Sequence, residues 1–164
     1  KDLMALNPSN NKICGISWRS SSTNTGASQN IDLKYLIEML NLDGYMFVSL
    51  QYGETKEEIS EVRDELGINI ISYEKVDNYL NIDGLSSLIQ VCDTVISVGN
   101  VNCHLAGALG KEIHVLVTDG SWWGWLLERD DSPWYASVKL YRQEKINDWD
   151  APIKKLKNEL KSID

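Results

Sequence analysis

The sequence predicts an α/β domain with a doubly wound, mainly parallel Rossmann-like sheet that carries helices on both faces. Two observations support this fold class. Short apolar runs rich in β-branched residues alternate with amphipathic helical segments along the whole chain. The chain also has 164 residues and 43% hydrophobic content, which is enough for one buried core. Because each strand is followed by a helix, crossover connections should make the sheet parallel and cover both of its faces.

The elements follow in a regular order. Residues 1–11 end in a polar Asn/Pro/Ser stretch that predicts a linker, and residues 12–164 predict the domain. The chain begins with Lys1 instead of Met, which indicates a piece of a longer protein or an engineered chain. Strands are predicted at residues 13–18, 45–50, 68–72, 95–98, 113–117 and, as an edge strand, 138–141.

Helix-start signals divide the segments between the strands. Asp32 is the expected N-cap of a helix that runs to Leu40, and Asp83 is the expected N-cap of a later one. Thr55 and Glu58 have the spacing of a capping box. A small-residue helix is expected at residues 104–109, a short helix at 122–127 and a closing helix at 151–160.

Composition excludes several function classes. A net charge of −8 and a pI near 4.8 argue against non-specific binding to nucleic acid. No apolar run reaches the roughly 20 residues that span a bilayer, and no signal-peptide pattern is present, so we expect a cytoplasmic protein without a membrane span. The three scattered cysteines predict buried free thiols, and with two histidines no metal site can be assembled by spacing.

The segment 93–110 is the centre of the predicted site. Its apolar run is followed by Gly99, Asn100, Val101 and Asn102 and then by the helix that carries His104. The start of such a helix presents backbone N–H groups and a partial positive charge, and it can hold a phosphate. Simple helix capping would satisfy the same residues equally well. Ligands of such sheets bind outside the carboxyl ends of the strands, so the candidate site comprises the loops 19–30, 51–55, 73–83, 99–102 and 119–124.

Four segments of the chain resemble a known family. They are residues 15–20, 47–53, 104–110 and 131–135, and Arg142-Gln143 and Asp148-Trp149 extend the match. In this order they are similar to the C-terminal, donor-binding domain of heptosyltransferase-like glycosyltransferases of the GT-B fold, in particular those found behind tetratricopeptide repeats in bacterial proteins. The resemblance covers about residues 13–149.

The resemblance implies a nucleotide-diphosphate-sugar as substrate, with no metal or other cofactor. Arg19 would neutralise the diphosphate, Ser20 would donate to phosphate, and Gln51 and Tyr52 would hold the ribose or base. His104, expected to be neutral at a helix N-terminus, would bind a sugar hydroxyl or a phosphate oxygen and is the candidate catalytic residue. Two of these residues have a structural alternative: Arg19 in a surface ion pair, and His104 as a packed side chain.

The resemblance also implies a partner domain upstream, either a second Rossmann-like half or tetratricopeptide repeats. That domain would supply most of the acceptor site, so the isolated chain is expected to bind the donor and transfer nothing. His114 lies inside a strand pattern and is expected to be structural. The tryptophans Trp122, Trp123, Trp125 and Trp134 are expected to be packing anchors.

Two departures from the family pattern favour an alternative function. Gly99 and Asn100 stand where relatives carry Asp followed by Thr or Ser, and the segment 122–125 lacks an Arg that relatives have. The alternative is a non-catalytic binding or scaffolding module that keeps the half-fold. A sugar-nucleotide epimerase, which shares the GT-B architecture, has no specific motif here.

Overall fold

A computed structural model describes residues 6–7, 9–22, 26–119 and 123–162. In these residues one sheet contains six strands in the order β3-β2-β1-β4-β5-β6, and every neighbouring pair is parallel. The strands are β1 Lys12–Ser17, β2 Tyr45–Ser49, β3 Ile70–Ile71, β4 Thr94–Val98, β5 Ile113–Val117 and β6 Val138–Arg142. This is the strand order of a Rossmann-like fold, in which the chain reverses its direction of winding between β1 and β4. The predicted fold class is therefore confirmed.

Helices cover both faces of the sheet. They are α1 Gly26–Gln29, α2 Leu33–Leu40, α3 Lys56–Leu66, α4 Ile82–Val91, α5 Val101–Ala108 and α6 Asp150–Ser162, with a 3-10 turn at Trp123–Trp125. One buried cluster joins α2, α3 and α6 to the sheet, and a second joins α4, α5 and Trp125 to the opposite face. Alternate residues of β4 enter opposite clusters, Val95 on the α5 side and Ile96 on the α2 side, because strand side chains alternate between faces.

The capping predictions had mixed outcomes. Asp32 caps α2 as expected, because its Oδ1 accepts the Tyr35 N–H at 2.8 Å. The capping box at Thr55 was wrong, since Thr55 makes no side-chain cap bond and Glu58 is engaged elsewhere. The Asp83 cap was also wrong: Asn81 accepts the Gly84 N–H at 2.8 Å, so α4 begins one residue earlier than Asp83.

Three segments at the carboxyl edge of the sheet differ from prediction. Helix α5 begins at Val101 and not at His104, because the Asn100 side chain caps it by accepting the Asn102 N–H at 2.9 Å. The loop 19–30, expected to be irregular, contains the short helix α1. The short helix expected at 122–127 is a 3-10 turn at Trp123–Trp125, and Trp122 lies outside the described residues.

Both edges of the sheet are short or covered. Strand β3 has only two residues. Strand β6 is flanked by the segment that precedes it, where Asp131 forms an antiparallel bridge with Lys139 and the Asp130 carbonyl accepts the Leu140 N–H at 2.8 Å.

Four further predictions can be compared with the described residues. The cysteines Cys14, Cys92 and Cys103 are buried free thiols, and burial raises the pKa of Cys92 and Cys103 to about 12. His114 is fully buried in β5 and lies 2.8 Å from the Tyr141 hydroxyl, as expected of a structural residue. Within the described ranges no helix is long and apolar enough to cross a membrane, and no group of three His, Cys, Asp or Glu side chains is placed to hold a metal.

Candidate functional site

The Ser17 hydroxyl is the centre of a buried network at the carboxyl ends of β1, β2 and β4. It accepts hydrogen bonds from Asn100 Nδ2 at 2.8 Å and Asn102 Nδ2 at 2.9 Å. It donates to Gln51 Oε1 at 3.0 Å. A hydroxyl has one proton and two lone pairs, so all three of its positions are used. The network ties three neighbouring strand ends together.

Gln51 is a predicted site residue that the structure buries in this network. Besides the Ser17 bond, its Oε1 accepts the backbone N–H groups of Trp18 at 2.9 Å and Arg19 at 2.8 Å. Consecutive N–H groups that converge on one oxygen form the kind of concavity that binds anions. The side-chain carbonyl of Gln51 occupies this concavity, and only 4% of the residue is exposed.

Asn100 and Asn102 are used in the same network. Asn100 caps α5 and also donates to the Arg19 carbonyl at 2.9 Å. Asn102 donates to the Leu50 carbonyl at 3.1 Å, and its own Oδ1 is buried with no hydrogen-bond partner among the described residues. Asn100 satisfies the capping alternative, and the side chains of Asn100 and Asn102 together tie the turn at residues 99–102 to the ends of β1 and β2.

Arg19 and Ser20 lie just beyond β1. The Arg19 guanidinium pairs with Glu58 at 2.9 Å and donates to the Glu54 carbonyl at 2.8 Å. Glu58 also accepts the Trp18 indole N–H at 3.1 Å, so one carboxylate of α3 holds two residues of this loop. Ser20 is held by its backbone N–H, which donates to Asn30 Oδ1 at 2.8 Å.

Tyr52 borders an open pocket at the ends of β2 and β3. Its hydroxyl accepts the Ser21 N–H at 2.7 Å, and its ring centroid lies 5.9 Å from that of Tyr79. The pocket has a volume of about 590 Å³, which is within the size range of small-ligand sites. Tyr73 and Asn78 also line the pocket, and the Asn78 side-chain amide donates to the backbone carbonyl of Gln51 at 3.2 Å.

His104 lies in the first turn of α5 and is half-buried. Its ring is parallel to that of Trp125, with an interplanar angle of 4° and centroids 5.1 Å apart. The Tyr135 hydroxyl lies 3.4 Å from His104 Nδ1. Burial lowers the pKa of His104, so the imidazole is neutral at pH 7, as the sequence predicted.

Gly99 and Val101 complete the turn in front of His104. A Cβ on Gly99 would lie 3.0 Å from Gln29 Oε1, which is a tight contact, and 3.8 Å from Trp125 Nε1, which is an ordinary van der Waals contact, so a larger residue would press on Gln29. Val101, by contrast, is 47% exposed at the first position of the helix. The turn is thus narrow on one side and open to solvent on the other.

Three residues of this site were not predicted from the sequence: Trp125, Tyr135 and Gln29. Trp125 was expected to be a packing anchor, and Tyr135 belongs to a segment that carried the family resemblance. Neither position has a spacing rule that connects it to residue 104, since the contacts form only when the β5–β6 connection folds over α5. Gln29 had no signal at all, because its helix was not predicted.

The chain is similar in sequence to a curated protein and in fold to a solved structure. No family model matches the chain. It is 32% identical over 150 residues to Protein FlbA of Caulobacter vibrioides, a match that covers 91% of this chain and 25% of that protein. The chain therefore spans about a quarter of the length of this curated relative.

The structural relative is the crystal structure of a glycosyl transferase family 9 protein from Veillonella parvula. The TM-score is 0.54 at 13% identity, and the match covers 81% of this chain and 35% of that one. At this identity the likeness shows the fold alone. The chain has the architecture of one Rossmann-like half of a GT-B protein.

Proposed function

We propose that this chain is the donor-binding domain of a heptosyltransferase-like glycosyltransferase and binds a nucleotide-diphosphate-sugar at the carboxyl edge of its sheet. The observation that carries the proposal is the turn Gly99–His104. There the N-terminus of α5 lies beside His104, a neutral and half-exposed histidine that is stacked on Trp125. The likeness in fold to a glycosyl transferase family 9 protein supports the same function.

The diphosphate would lie against the first turn of α5. The partial positive charge of a helix N-terminus stabilises an anion without a cationic side chain. The neutral imidazole of His104 can hydrogen-bond a phosphate oxygen or a sugar hydroxyl without the cost of burying a charge. The network around Ser17 supports this function indirectly, because it fixes the turn before the ligand arrives.

The tyrosine-lined pocket is the candidate position for the base or ribose. Tyr52 and Tyr79 present aromatic faces at the same edge of the sheet as the turn. Aromatic faces stack on planar heterocycles, and the pocket volume of about 590 Å³ accommodates a nucleoside.

Arg19 would join the site only by exchanging partners. In the structure its guanidinium is paired with Glu58, so a diphosphate must compete with that carboxylate. Both side chains of the pair are about one-third exposed, at 34% and 31%, and pairs of this kind are weak. A doubly charged ligand can displace Glu58 at small cost.

A facing domain is the proposed partner. Several large apolar side chains that follow the strand ends are exposed. They are Tyr79, Leu80, Val101, Trp123, Leu126, Leu127 and Ile146. Exposed apolar groups gathered at one edge are typical of an interaction surface. A second Rossmann-like half or a repeat array in a longer polypeptide would cover them, and FlbA is long enough to contain such a domain.

The experiment is an NMR titration of the chain with ADP, UDP and GDP. We expect shifts in residues 99–104 with at least one of them. Val101→Glu should abolish the shifts, because a carboxylate at the first helical position repels phosphate while it leaves the helix stable. The control is Val91→Glu, the same substitution at a residue 39% exposed at the end of α4, away from the carboxyl edge. No shifts at millimolar concentration with all three nucleotides would reject the proposal.

The second candidate is a non-catalytic binding or scaffolding module. One specific observation favours it: Gln51, Asn100 and Asn102 are buried and hydrogen-bonded within the protein. Such a module would bind none of the nucleotides, whereas a donor domain binds one of them. Acceptor-dependent nucleotide release by the isolated chain would contradict both candidates, because it would place the whole catalytic machinery in these residues.

A further inference from the structure

Arg142, the last residue of β6, holds the connection between β5 and β6 by its carbonyl groups. Its Nη2 donates to the Trp125 carbonyl at 2.8 Å and to the Leu126 carbonyl at 2.5 Å. Its Nε donates to the Arg129 carbonyl at 3.3 Å. The rigid fork of a guanidinium suits this arrangement, because one planar group can reach several acceptors at fixed angles.

The backbone that Arg142 holds, at residues 125–129, has an unusual conformation. Leu126 has a φ of 51° and Glu128 a φ of 58°, in the left-handed region that residues other than glycine rarely adopt. Such a conformation persists only where surrounding contacts hold it. All three carbonyls that Arg142 binds belong to Leu126 itself or to a residue next to Leu126 or Glu128.

Trp125 connects Arg142 to the candidate site, because its carbonyl accepts from Arg142 and its indole stacks on His104. This residue is 1% exposed, its indole is parallel to the His104 ring, and its Nε1 lies 3.8 Å from the position of a Cβ built on Gly99. A shift of the Trp125 backbone would therefore move the surface on which His104 stacks.

We propose that Arg142 is a positioning residue for the Gly99–His104 turn: by holding the Trp125 carbonyl it sets the orientation of the indole, and the indole sets the orientation of His104. The importance of this for ligand binding rests on the proposed function. The geometric part, from Arg142 to His104, stands without it.

The test uses the imidazole proton signals of the chain, which contains only two histidines. A proton above an indole face is shifted upfield by the ring current, so the His104 signal reports the stacking directly, and His114 in β5 is an internal reference. We expect the upfield shift to be lost in Arg142→Ala and reduced in Arg142→Lys, because an ammonium lacks the planar fork. The control is Arg129→Ala, since that guanidinium pairs with Asp131 at 2.5 Å and the variant keeps the carbonyl that Arg142 binds.

An unchanged His104 signal in either Arg142 variant would overturn the inference, even if the melting temperature fell. Should Arg142→Ala fail to fold, Arg142→Lys decides the question, because it keeps the positive charge and its N–H donors on a single nitrogen. The same three variants are then titrated with the nucleotide that the native chain binds best. Arg142→Lys should weaken binding about tenfold, as misplaced binding groups do, and Arg129→Ala should not. Equal affinities would reject the positioning role in binding.

The two proposals fail in different ways. If no nucleotide binds to the native chain, the proposed function fails, and the His104 signal still decides whether Arg142 orients the stack. If nucleotides bind but the His104 signal ignores Arg142, the function stands and this inference is wrong.

Discussion

The two halves of the carboxyl edge use their polar groups differently. Around Ser17, the side chains of Gln51, Asn100 and Asn102 are buried and bonded to one another and to strand ends. Around His104, the rings of Trp125 and Tyr135 leave the imidazole half-exposed. The first half gives the edge its shape, and the second can contact a ligand. Polar residues at strand ends therefore do not all have the same role, and burial distinguishes the two.

Asn102→Ala should cause the largest loss of stability. It removes donors to Ser17 and to the Leu50 carbonyl and leaves that buried carbonyl without its side-chain partner. We expect the free energy of unfolding to fall by about 3 kcal/mol, because two hydrogen bonds are lost and their buried acceptors are left without these donors. Urea unfolding measures it. The control is Asn158→Ala on the exposed face of α6, expected to change stability by less than about 0.5 kcal/mol. Equal effects would show that the network contributes nothing special.

Gly107→Ala tests the other half. A Cβ at this position would lie 2.7 Å from Cγ of Tyr135, so the ring next to His104 must move. Overpacking costs about 1–3 kcal/mol, whereas the higher helix propensity of alanine contributes about 1 kcal/mol. We therefore expect the free energy of unfolding to fall by about 1 kcal/mol. In a Tyr135→Ala background the same substitution should become stabilising, because the obstacle is gone. Thermal or urea unfolding of the four chains gives the sign directly, and destabilisation in both backgrounds would contradict the contact.

Acid should weaken the protein through its two histidines. Burial lowers the pKa of both His104 and His114, although Glu112 and Glu159 oppose the shift at His114. The unfolded chain, with histidine pKa values near 6.5, therefore binds more protons than the folded one. The contribution is fully present above pH 6.5 and is lost as the pH falls through the folded pKa values.

The measurement is the free energy of unfolding at pH 7.5 and pH 5. It should be lower at pH 5, and His104→Gln should reduce the difference, since that variant leaves only His114 to titrate. A protein that gains stability in this interval would have a histidine that is protonated when folded.

Arg19→Ala should have the smallest effect on stability. The Arg19–Glu58 pair is partly exposed, and such pairs contribute about 0.2–1 kcal/mol. Lys34→Ala, which removes a comparable pair to Glu61 and Glu65, is the control. If Arg19 joins the diphosphate as proposed, its loss should weaken nucleotide binding by about 1.5–3 kcal/mol while the melting temperature hardly changes. A large drop in melting temperature with unchanged affinity would make Arg19 structural.

The fold was predictable because it depends on local pattern. Apolar runs and helical periodicity located the elements, and alternation of strand and helix predicted the parallel sheet. The errors concern residues whose side chains have long-range partners. Glu58 has capping-box spacing, but Trp18 and Arg19 occupy its carboxylate. Asp83 is a good cap residue, but Asn81 precedes it and begins the helix first.

The candidate site was predictable in position and less so in composition. Every predicted site residue lies at the carboxyl edge, because parallel strands bring their ends together. Which side chains stay accessible was not predictable: Gln51 and Tyr52 are adjacent and both line the pocket, yet Gln51 is buried and Tyr52 is partly exposed. The stack of Trp125 on His104 joins residues 21 positions apart and depends on a connection with no regular period.

The edges of the sheet bear on how this protein meets other chains. An exposed strand edge offers unpaired N–H and C=O groups that recruit further strands, which leads to open-ended association. Here β3 is too short to act as a template, and residues 130–131 cover part of β6. Sideways growth of the sheet by addition of strands is thus disfavoured. Recognition is left to side chains at the strand ends, where shape and chemistry can discriminate between partners.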